Sequence, residues 1–189
     1  MSREELDQGL AEKRIILLDG DIDDEMAAAV KFWLMLFNTQ SKEEIKLLID
    51  SDGGMVQAAM SIYDLVKLSA APVTGLVVGD CKSMAIILLQ ACTTRLATPH
   101  SNFYIHELNW KSGTIILDKD AKDMLKAKMK ELKLIRNKII NILTGRPRLT
   151  PTMVDQLMSE GENKGTYLLA ERALKLGLID KIVESYPLF

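Results

Sequence analysis

Residues 73–92 read VTGLVVGDCKSMAIILLQAC, and this stretch decides the fold. The β-branched and leucine residues of 73–78 predict a buried strand. The strand stops at a polar turn over 79–83, and an apolar helix follows from Met84 to about Cys92. A buried strand that passes directly into a helix is typical of α/β proteins, in which crossover helices connect parallel strands.

The same alternation of strand and helix extends to both sides of this stretch. Upstream, the pattern predicts strands at 14–18 and 45–49 and helices at about 24–37 and 55–69. Downstream, it predicts β segments at 95–98, 102–106, 114–117 and 178–183, a long helix at 119–143, and shorter helices after Thr150 and at 169–176. We therefore predict one α/β domain spanning residues 1–189, with a mostly parallel sheet.

The composition excludes several classes of protein. The chain has 24 basic and 26 acidic side chains, a formal charge of −2, which argues against a nucleic-acid-binding protein. The longest apolar run, 84–89, is far shorter than the ~20 residues that cross a bilayer. The acidic N-terminal residues do not fit a signal peptide, and Cys81 and Cys92 are interpreted as buried apolar residues. We therefore expect a cytoplasmic protein. We expect no metal centre, because no cluster of His, Cys and Asp has ligand spacing.

Two segments next to the predicted strands could carry chemistry. The double glycine of 51–54 (SDGG) lies between a buried strand and a helix, where backbone N–H groups can face an anion. This segment is either an ordinary turn or an anion or oxyanion site. Ser83 lies where a strand turns into an apolar helix, so it is either the N-cap of that helix or a nucleophile above the sheet edge.

His106 is a third candidate, at the end of the predicted strand 102–106. A histidine in a strand is either a satisfied core residue or, here, the base that removes the proton of Ser83. His100 lies in a predicted turn, which favours an exposed structural role. Lys82 is a weaker candidate for the base, because a lysine next to the serine in such a turn usually points elsewhere.

Six segments, from the first predicted strand to the last, resemble motifs of the Clp protease proteolytic subunit family in order and at nearly the family's intervals. They are RIILLDG at 14–20 for the first strand, IDSDGG at 49–54 for I-N-S-P-G-G, AMSIYD at 59–64 for A-G-M-S-I-Y-D, SMA at 83–85 for S-M-G, PHS and IH at 99–106 for P-N-S…I-H, and GLID at 177–180 for the closing G-L-I-D. Each motif is weakly specific alone, and their order makes the resemblance specific.

The resemblance implies the crotonase-like α/β fold of that family and a serine endopeptidase that hydrolyses peptides or unfolded proteins. By position, Ser83 would be the nucleophile and His106 the general base. The backbone N–H groups of Gly54 and Met84 would form the oxyanion hole, which stabilises the charge on the carbonyl oxygen. No cofactor is implied.

The resemblance also implies a homo-oligomer, a heptamer or tetradecamer built from seven-membered rings around a chamber. The region 107–145, with its long helix, matches the projecting handle that the family places between rings. An AAA+ ATPase unfoldase is an implied partner, although only about 13 residues precede the first predicted strand, fewer than the family's axial-pore loop needs.

The sequence departs from the family at the catalytic aspartate. That position is Gly165, and glycine cannot orient a histidine; four nearby residues could substitute: Asp155, Glu162, Asn163 and Thr166. The family's Q-P after the histidine is here Glu107-Leu108. Two functions therefore stay open, an active serine peptidase and a catalytically silent ring subunit with a structural or regulatory role. Acyl-CoA chemistry on the same fold is disfavoured, because a serine paired with a histidine is suited to the acyl transfer that a serine peptidase carries out.

Overall fold

The strand predicted at 73–78 lies at the centre of a sheet in the computed structural model, which describes residues 9–109, 121–146, 148–161 and 165–186. The strands are β1 (Ile15–Ile22), β2 (Ile45–Gly54), β3 (Val73–Lys82), β4 (Thr94–Ala97), β5 (Asn102–His106), β6 (Gly165–Leu169) and β7 (Lys181–Ile182). Their order is β1-β2-β3-β4-β7, with β5 paired to β3 and β6 paired to β5. The pairs along the main path and the β3–β5 pair are parallel, as predicted.

β3 changes its neighbour along its length. Thr74–Val77 pairs with β4, whereas Asp80–Lys82 pairs with β5. The turn between β4 and β5 is hydrogen-bonded to Val77, where β3 stops pairing with β4. The Ser101 hydroxyl and the Thr98 N–H both donate to the Val77 carbonyl, at 2.9 and 3.0 Å. Ligands of open α/β sheets bind outside the carboxyl ends of the strands at such a switch point, so the end of β3 is the first place to look for a site.

The helices fall into two compact units of the chain. The first unit ends at Ile105, resumes at Tyr167, and contains α1 (Asp24–Gln40), α2 (Val56–Leu68), α3 (Met84–Ala91) and α6 (Ala170–Leu176). The second unit, 106–166, contains α4 (Ala121–Thr144) and α5 (Pro151–Ser159). Asp23 and Thr150 confirm the predicted helix starts, because their side chains accept hydrogen bonds from the N–H groups of Met26 and Met153.

The core of the first unit is built around α3. All 8 residues of this helix are buried, and β2, β3 and α2 pack against it. Full burial of one leucine or isoleucine stabilises a fold by roughly 1.5–3 kcal/mol, and α3 contributes four such side chains: Ile86, Ile87, Leu88 and Leu89. A helix that is apolar on every face is stable when it is buried on every face, as α3 is here.

Arg95 joins the end of α3 to the C-terminal segment. Its buried guanidinium donates to Gln90 Oε1 at 2.6 Å and to the Gly177 carbonyl at 2.8 Å. It also donates to the Asp180 carboxylate, at 3.1 Å from Nε and 2.5 Å from Nη2. Gly177 ends α6 with φ 76°, a left-handed conformation that glycine adopts without strain. The GLID segment is therefore structural in this chain: its glycine ends a helix and its aspartate holds a buried arginine.

The predicted lengths of the first three strands were wrong at their carboxyl ends. The segments 19–21, 50–54 and 79–82, predicted as turns, continue β1, β2 and β3. Their backbones still pair between neighbouring strands, while their side chains alternate between solvent and the interior: Asp50 and Asp52 are exposed, whereas Ser51 and Cys81 are buried. The last predicted strand, 178–183, is reduced to β7, β6 was not predicted, and the β segment at 114–117 lies outside the described residues.

The long helix is only partly buried in the single chain. Within α4, Ala121, Ile139 and Leu143 are buried, whereas three large apolar side chains are exposed: Met124, Met129 and Leu134. The second unit therefore covers only part of the apolar surface of this helix. None of the helices in the described residues is both long and apolar enough to cross a membrane.

Candidate active site

The candidate residues lie where neighbouring parallel strands end. β2 ends at Gly54, β3 at Lys82 and β5 at His106. The ends of β2 and β5 flank the end of β3, since Cys81 pairs with Ser51 on one side and with Phe103 on the other. Ser83, the next residue of the chain, follows directly from the centre of this group.

Ser83 makes the whole turn from β3 into α3, with φ 51° and ψ −122°. Among the described residues, only Arg14 and Ser83 are non-glycine residues with positive φ. Such a conformation costs on the order of 1–3 kcal/mol and is concentrated at functional sites. The Ser83 N–H donates to the Tyr104 carbonyl at 2.8 Å, so the backbone of the turn is bound to β5.

The serine hydroxyl does not cap α3. Ser83 occupies the N-cap position of α3, but no helix N–H donates to its side chain. The side chain is half-buried and stands at a sharp strand-to-helix turn. This is the arrangement in which α/β-hydrolases present a nucleophilic serine, although the flanking residues here differ from theirs.

Gly53 allows β2 to lie against this turn. A Cβ atom at residue 53 would be 2.6 Å from the Ser83 Cβ, 2.7 Å from the Lys82 carbonyl oxygen and 3.0 Å from the Met84 nitrogen. The φ of Gly53, +94°, is also a conformation that favours glycine. The sequence reasoning named Gly54 and not Gly53 as a site residue, and the double glycine was the signal that could have identified both.

The two predicted oxyanion donors have different surroundings. Met84 is the buried first residue of α3, so its N–H has no carbonyl partner within the helix. Gly54 ends β2 opposite Ile22 of β1, and a side chain at this position would collide with the Ile22 backbone. Glycine is therefore required at both 53 and 54, but by different neighbours.

Lys82 forms an ion-pair cluster beside Ser83. Its Nζ atom is 2.7 Å from Asp52 Oδ1 and 2.6 Å from Asp80 Oδ2. The hydrogen bond to Asp52, followed by the one to Asp80, raises the pKa of Lys82 above its ordinary value. The Lys82 hydrogen bond is in turn the main reason why the pKa of Asp80 is lowered; burial opposes it as the next largest effect, and the hydrogen bond from Asn102 adds a smaller lowering. A lysine held in its charged form cannot act as a base, which argues against Lys82 in that role.

The other reactive side chains of the first unit do not compete with Ser83. Cys81 is fully buried, and burial raises the pKa of its thiol well above the ordinary value, which keeps it protonated. His100 is exposed in the turn before β5, as predicted. Among the described residues, no group of three or more His, Cys, Asp and Glu side chains could hold a metal ion.

His106 is the last residue of β5 and the first residue of the second unit. Its Nδ1 atom is 2.6 Å from the main-chain carbonyl oxygen of Glu107. A carbonyl oxygen only accepts hydrogen bonds, so Nδ1 must carry the proton of this bond. In the neutral ring, Nε2 is then the basic nitrogen, which is the form that a general base requires.

Gly165 begins β6 and offers no side chain to His106. Two of the four possible substitutes, Glu162 and Asn163, lie outside the described residues. The Thr166 hydroxyl donates to the Leu157 carbonyl at 2.8 Å, and Asp155 accepts from Arg136 at 2.5 Å. Both described substitutes are therefore bonded to other groups of the second unit.

The parallel sheet, the buried helix and the serine turn define an α/β protein of ClpP-like fold. The solved structure of a ClpP1 mutant from Listeria monocytogenes has the same fold, with a TM-score of 0.80 at 22% sequence identity, over 97% of this chain and 98% of that one. The fold class predicted from the sequence is thus confirmed.

The chain belongs to the Clp protease family, whose family model matches residues 2–186. It is 32% identical over 179 residues to the ATP-dependent Clp protease proteolytic subunit 2 of Chlamydia abortus, covering 93% of this chain and 82% of that protein. It is 31% identical over 181 residues to the ATP-dependent Clp protease proteolytic subunit of Deinococcus radiodurans, covering 93% and 83%. These matches confirm the predicted family.

The contact between Gly53 and the serine turn predicts a large effect of one methyl group. We expect Gly53→Ala to lower the free energy of unfolding by about 3 kcal/mol, through backbone overlap added to strain at positive φ. Gly20→Ala is the matched control, because Gly20 has a similar φ of +85° but nothing within 4 Å of its Cβ position; strain alone should cost about 1 kcal/mol. Denaturant unfolding of both variants checks this, and equal losses would contradict it.

The Lys82 cluster predicts a pH dependence of stability. Because the folded pKa of Asp80 is lowered, its contribution is present above the ordinary value of 3.8 and is lost as pH falls through the folded value. The raised pKa of Lys82 acts oppositely: its contribution is present below 10.5 and is lost as pH rises through the folded value.

We expect Asp80→Asn to reduce the free energy of unfolding near neutral pH by up to about 1 kcal/mol, because the pair is partly exposed. The variant should also lose less stability than the wild-type chain on acidification. Asp123→Asn removes an exposed ion pair of α4 with Lys126 and serves as the control. Unfolding curves at neutral and acidic pH test this, and an unchanged acid dependence in Asp80→Asn would contradict it.

Proposed function

We propose that the chain is a serine endopeptidase of the Clp proteolytic-subunit type, which hydrolyses peptides or unfolded proteins in the chamber of an oligomeric ring. The observation that carries the proposal is the backbone of Ser83, which has positive φ at a strand-to-helix turn without capping the helix. The related proteins from Chlamydia abortus and Deinococcus radiodurans are proteolytic subunits by name, which supports the same activity here. We also propose a cytoplasmic location, in line with the buried free cysteines.

The proposed reaction uses Ser83 as the nucleophile and His106 as the general base. Nε2 of His106 removes the hydroxyl proton while the serine oxygen attacks the peptide carbonyl carbon. The N–H groups of Gly54 and Met84 stabilise the negative charge on the carbonyl oxygen, and donors of this kind contribute about 3 kcal/mol each. His106 then returns the proton to the leaving amine, and a water molecule, activated by the same histidine, hydrolyses the acyl-enzyme. No cofactor takes part.

The proposed assembly accounts for the exposed apolar side chains of α4. Met124, Met129 and Leu134 are exposed in the single chain and lie on different sides of the helix, and contacts with neighbouring copies in a ring would cover them. The relatives are described as ATP-dependent, which supports an AAA+ ATPase unfoldase as a partner.

A second candidate function is a catalytically silent ring subunit with a structural or regulatory role. The observation that favours it is Gly165, because loss of the orienting aspartate of a serine protease costs about 10⁴ in rate. The two functions differ in whether Ser83 reacts.

Labelling with a fluorophosphonate tests the choice between these functions. The reagent reacts with an activated serine, so we expect the wild-type chain to be labelled at one site, Ser83→Ala not to be labelled, and His106→Gln to be labelled at least about 10²-fold more slowly. Ser61→Ala is the control, because Ser61 lies on α2 and bonds only to the helix backbone at Ala58. A folded, oligomeric wild-type chain that takes up no reagent would establish the silent subunit instead.

The proposed ring predicts a particle several times the 21.1 kDa chain mass. Light scattering across a dilution series measures that mass directly. The variant Met129→Lys should reduce the association of rings, because it places a charge at an apolar side chain of α4 that is 71% exposed in the single chain. Lys130→Glu, a charge change among the polar residues of the same helix, is the control. A wild-type chain that is monomeric at every concentration would remove the ring from the proposal.

A further inference from the structure

The imidazole of His106 is bound by the main chain immediately after it. The 2.6 Å separation between Nδ1 and the Glu107 carbonyl oxygen requires that the chain turn back at the end of β5. This carbonyl meets the ring nitrogen that an aspartate orients in a serine protease triad. The bond therefore selects the ring tautomer in which Nε2 is basic.

The side chain of Glu107 is held by Arg136. The guanidinium Nε atom lies 3.1 and 3.0 Å from the two carboxylate oxygens, and Nη2 lies 2.6 Å from Oε1. The pair is geometrically specific, because a planar guanidinium bonds to both oxygens of one carboxylate at once. Only about a quarter of each side chain is exposed, 26% for Arg136 and 25% for Glu107, so solvent screens the pair less than a surface ion pair.

Arg136 is itself fixed within the second unit. It precedes the buried residues Ile139 and Leu143 of α4 by one and two helical turns, which places it on the inner face of the helix. Its Nη2 atom also donates to Asp155 Oδ1 of α5, at 2.5 Å. Bonds to Glu107, followed by those to Asp155, raise the pKa of Arg136 further above its ordinary value, so the guanidinium stays charged. Arg136 therefore connects the segment after β5 to both helices of the unit.

We propose that Glu107 and Arg136 are positioning residues for His106. The ion pair fixes the backbone of residue 107, and its carbonyl then holds the imidazole in the orientation that the missing aspartate at Gly165 would otherwise impose. The catalytic meaning of this inference rests on the proposed peptidase function. The state of the ring, with a proton on Nδ1, can be observed without any activity.

The arrangement replaces only part of the work of an aspartate. A carbonyl dipole selects the tautomer and orientation of the ring, but it lacks the full negative charge that stabilises the imidazolium formed during the reaction. The Glu107 carboxylate does not supply that charge by direct contact through Nδ1, because its oxygens are bound to Arg136. The proposal therefore expects an active but slow peptidase.

Nitrogen-15 NMR of the histidine rings in the full-length oligomeric protein tests the inference. The two ring nitrogens have different chemical shifts in each tautomer, and the chain contains only 2 histidines. His100→Gln leaves the signals of His106 alone in the spectrum. We expect a proton on Nδ1 of His106 at a pH where the ring is neutral. A neutral ring protonated at Nε2 would overturn the proposal, whatever the peptidase activity.

Variants of Arg136 test the link between the ion pair and the ring. Arg136→Met should shift His106 toward the Nε2-protonated tautomer and slow fluorophosphonate labelling of Ser83 about tenfold, the lower end of the loss seen when orienting partners of metal-bound histidines are removed. Arg136→Lys should restore part of both properties. Lys128→Met, which removes an ion pair with Glu131 on the same helix, should leave both unchanged.

The outcomes separate this inference from the proposed function. A chain whose Ser83 does not react, but whose His106 carries its proton on Nδ1 and loses it in Arg136→Met, supports the positioning and refutes the peptidase. A reactive Ser83 whose labelling rate and histidine signals do not change in Arg136→Met refutes the positioning alone. Glu107→Gln keeps the shape of the side chain and gives the same information if Arg136→Met does not fold.

Discussion

The strained turn at Ser83 is the constraint on which the candidate site depends. β3 is fixed by ladders on both sides, and α3 is buried over its whole length, so neither element can shift to relax the residue that joins them. Ser83 must therefore reverse the chain direction alone, with φ 51°. The strain, on the order of 1–3 kcal/mol, is smaller than the burial of two of the large apolar side chains of α3, at roughly 1.5–3 kcal/mol each. A buried helix thus holds a strained conformation that a solvent-exposed loop would lose.

The order of strands and helices could be predicted because apolar residues mark which segments are buried. The apolar run of α3 predicted that helix to within about a residue, and the capping residues Asp23 and Thr150 predicted the starts of α1 and α5, whereas α1 ends at Gln40 and not near Phe37. The same reasoning failed at the carboxyl ends of β1, β2 and β3, where the backbone pairs although polar side chains such as Asp50 and Asp52 face solvent. Periodicity reports the burial of side chains, and it has no access to backbone pairing beyond the core.

Some features of the candidate site can be predicted from sequence motifs, and others depend on the register in which neighbouring strands pair. Ser83 and His106 could be named from their positions in the chain. The close approach of Gly53 to Ser83 and the pairing of Lys82 with Asp52 could not, because each joins residues 30 positions apart through the alignment of β2 with β3. A shift of that alignment by one residue would turn Asp52 to the opposite face of the sheet, away from Lys82. Local sequence does not contain this information.

Gly165 does not by itself decide whether the chain is catalytic, because orientation and charge stabilisation are separable tasks of an aspartate. Orientation needs an acceptor at Nδ1, and the Glu107 carbonyl is one. Charge stabilisation needs a carboxylate, and the nearest one in sequence is bound to Arg136. A serine peptidase that retains the first and lacks the second should keep the reactivity of its nucleophile and lose turnover. The reactivity of Ser83 toward an activated phosphonate, which places little demand on a long-lived imidazolium, therefore separates the two functions more sharply than hydrolysis of a peptide would.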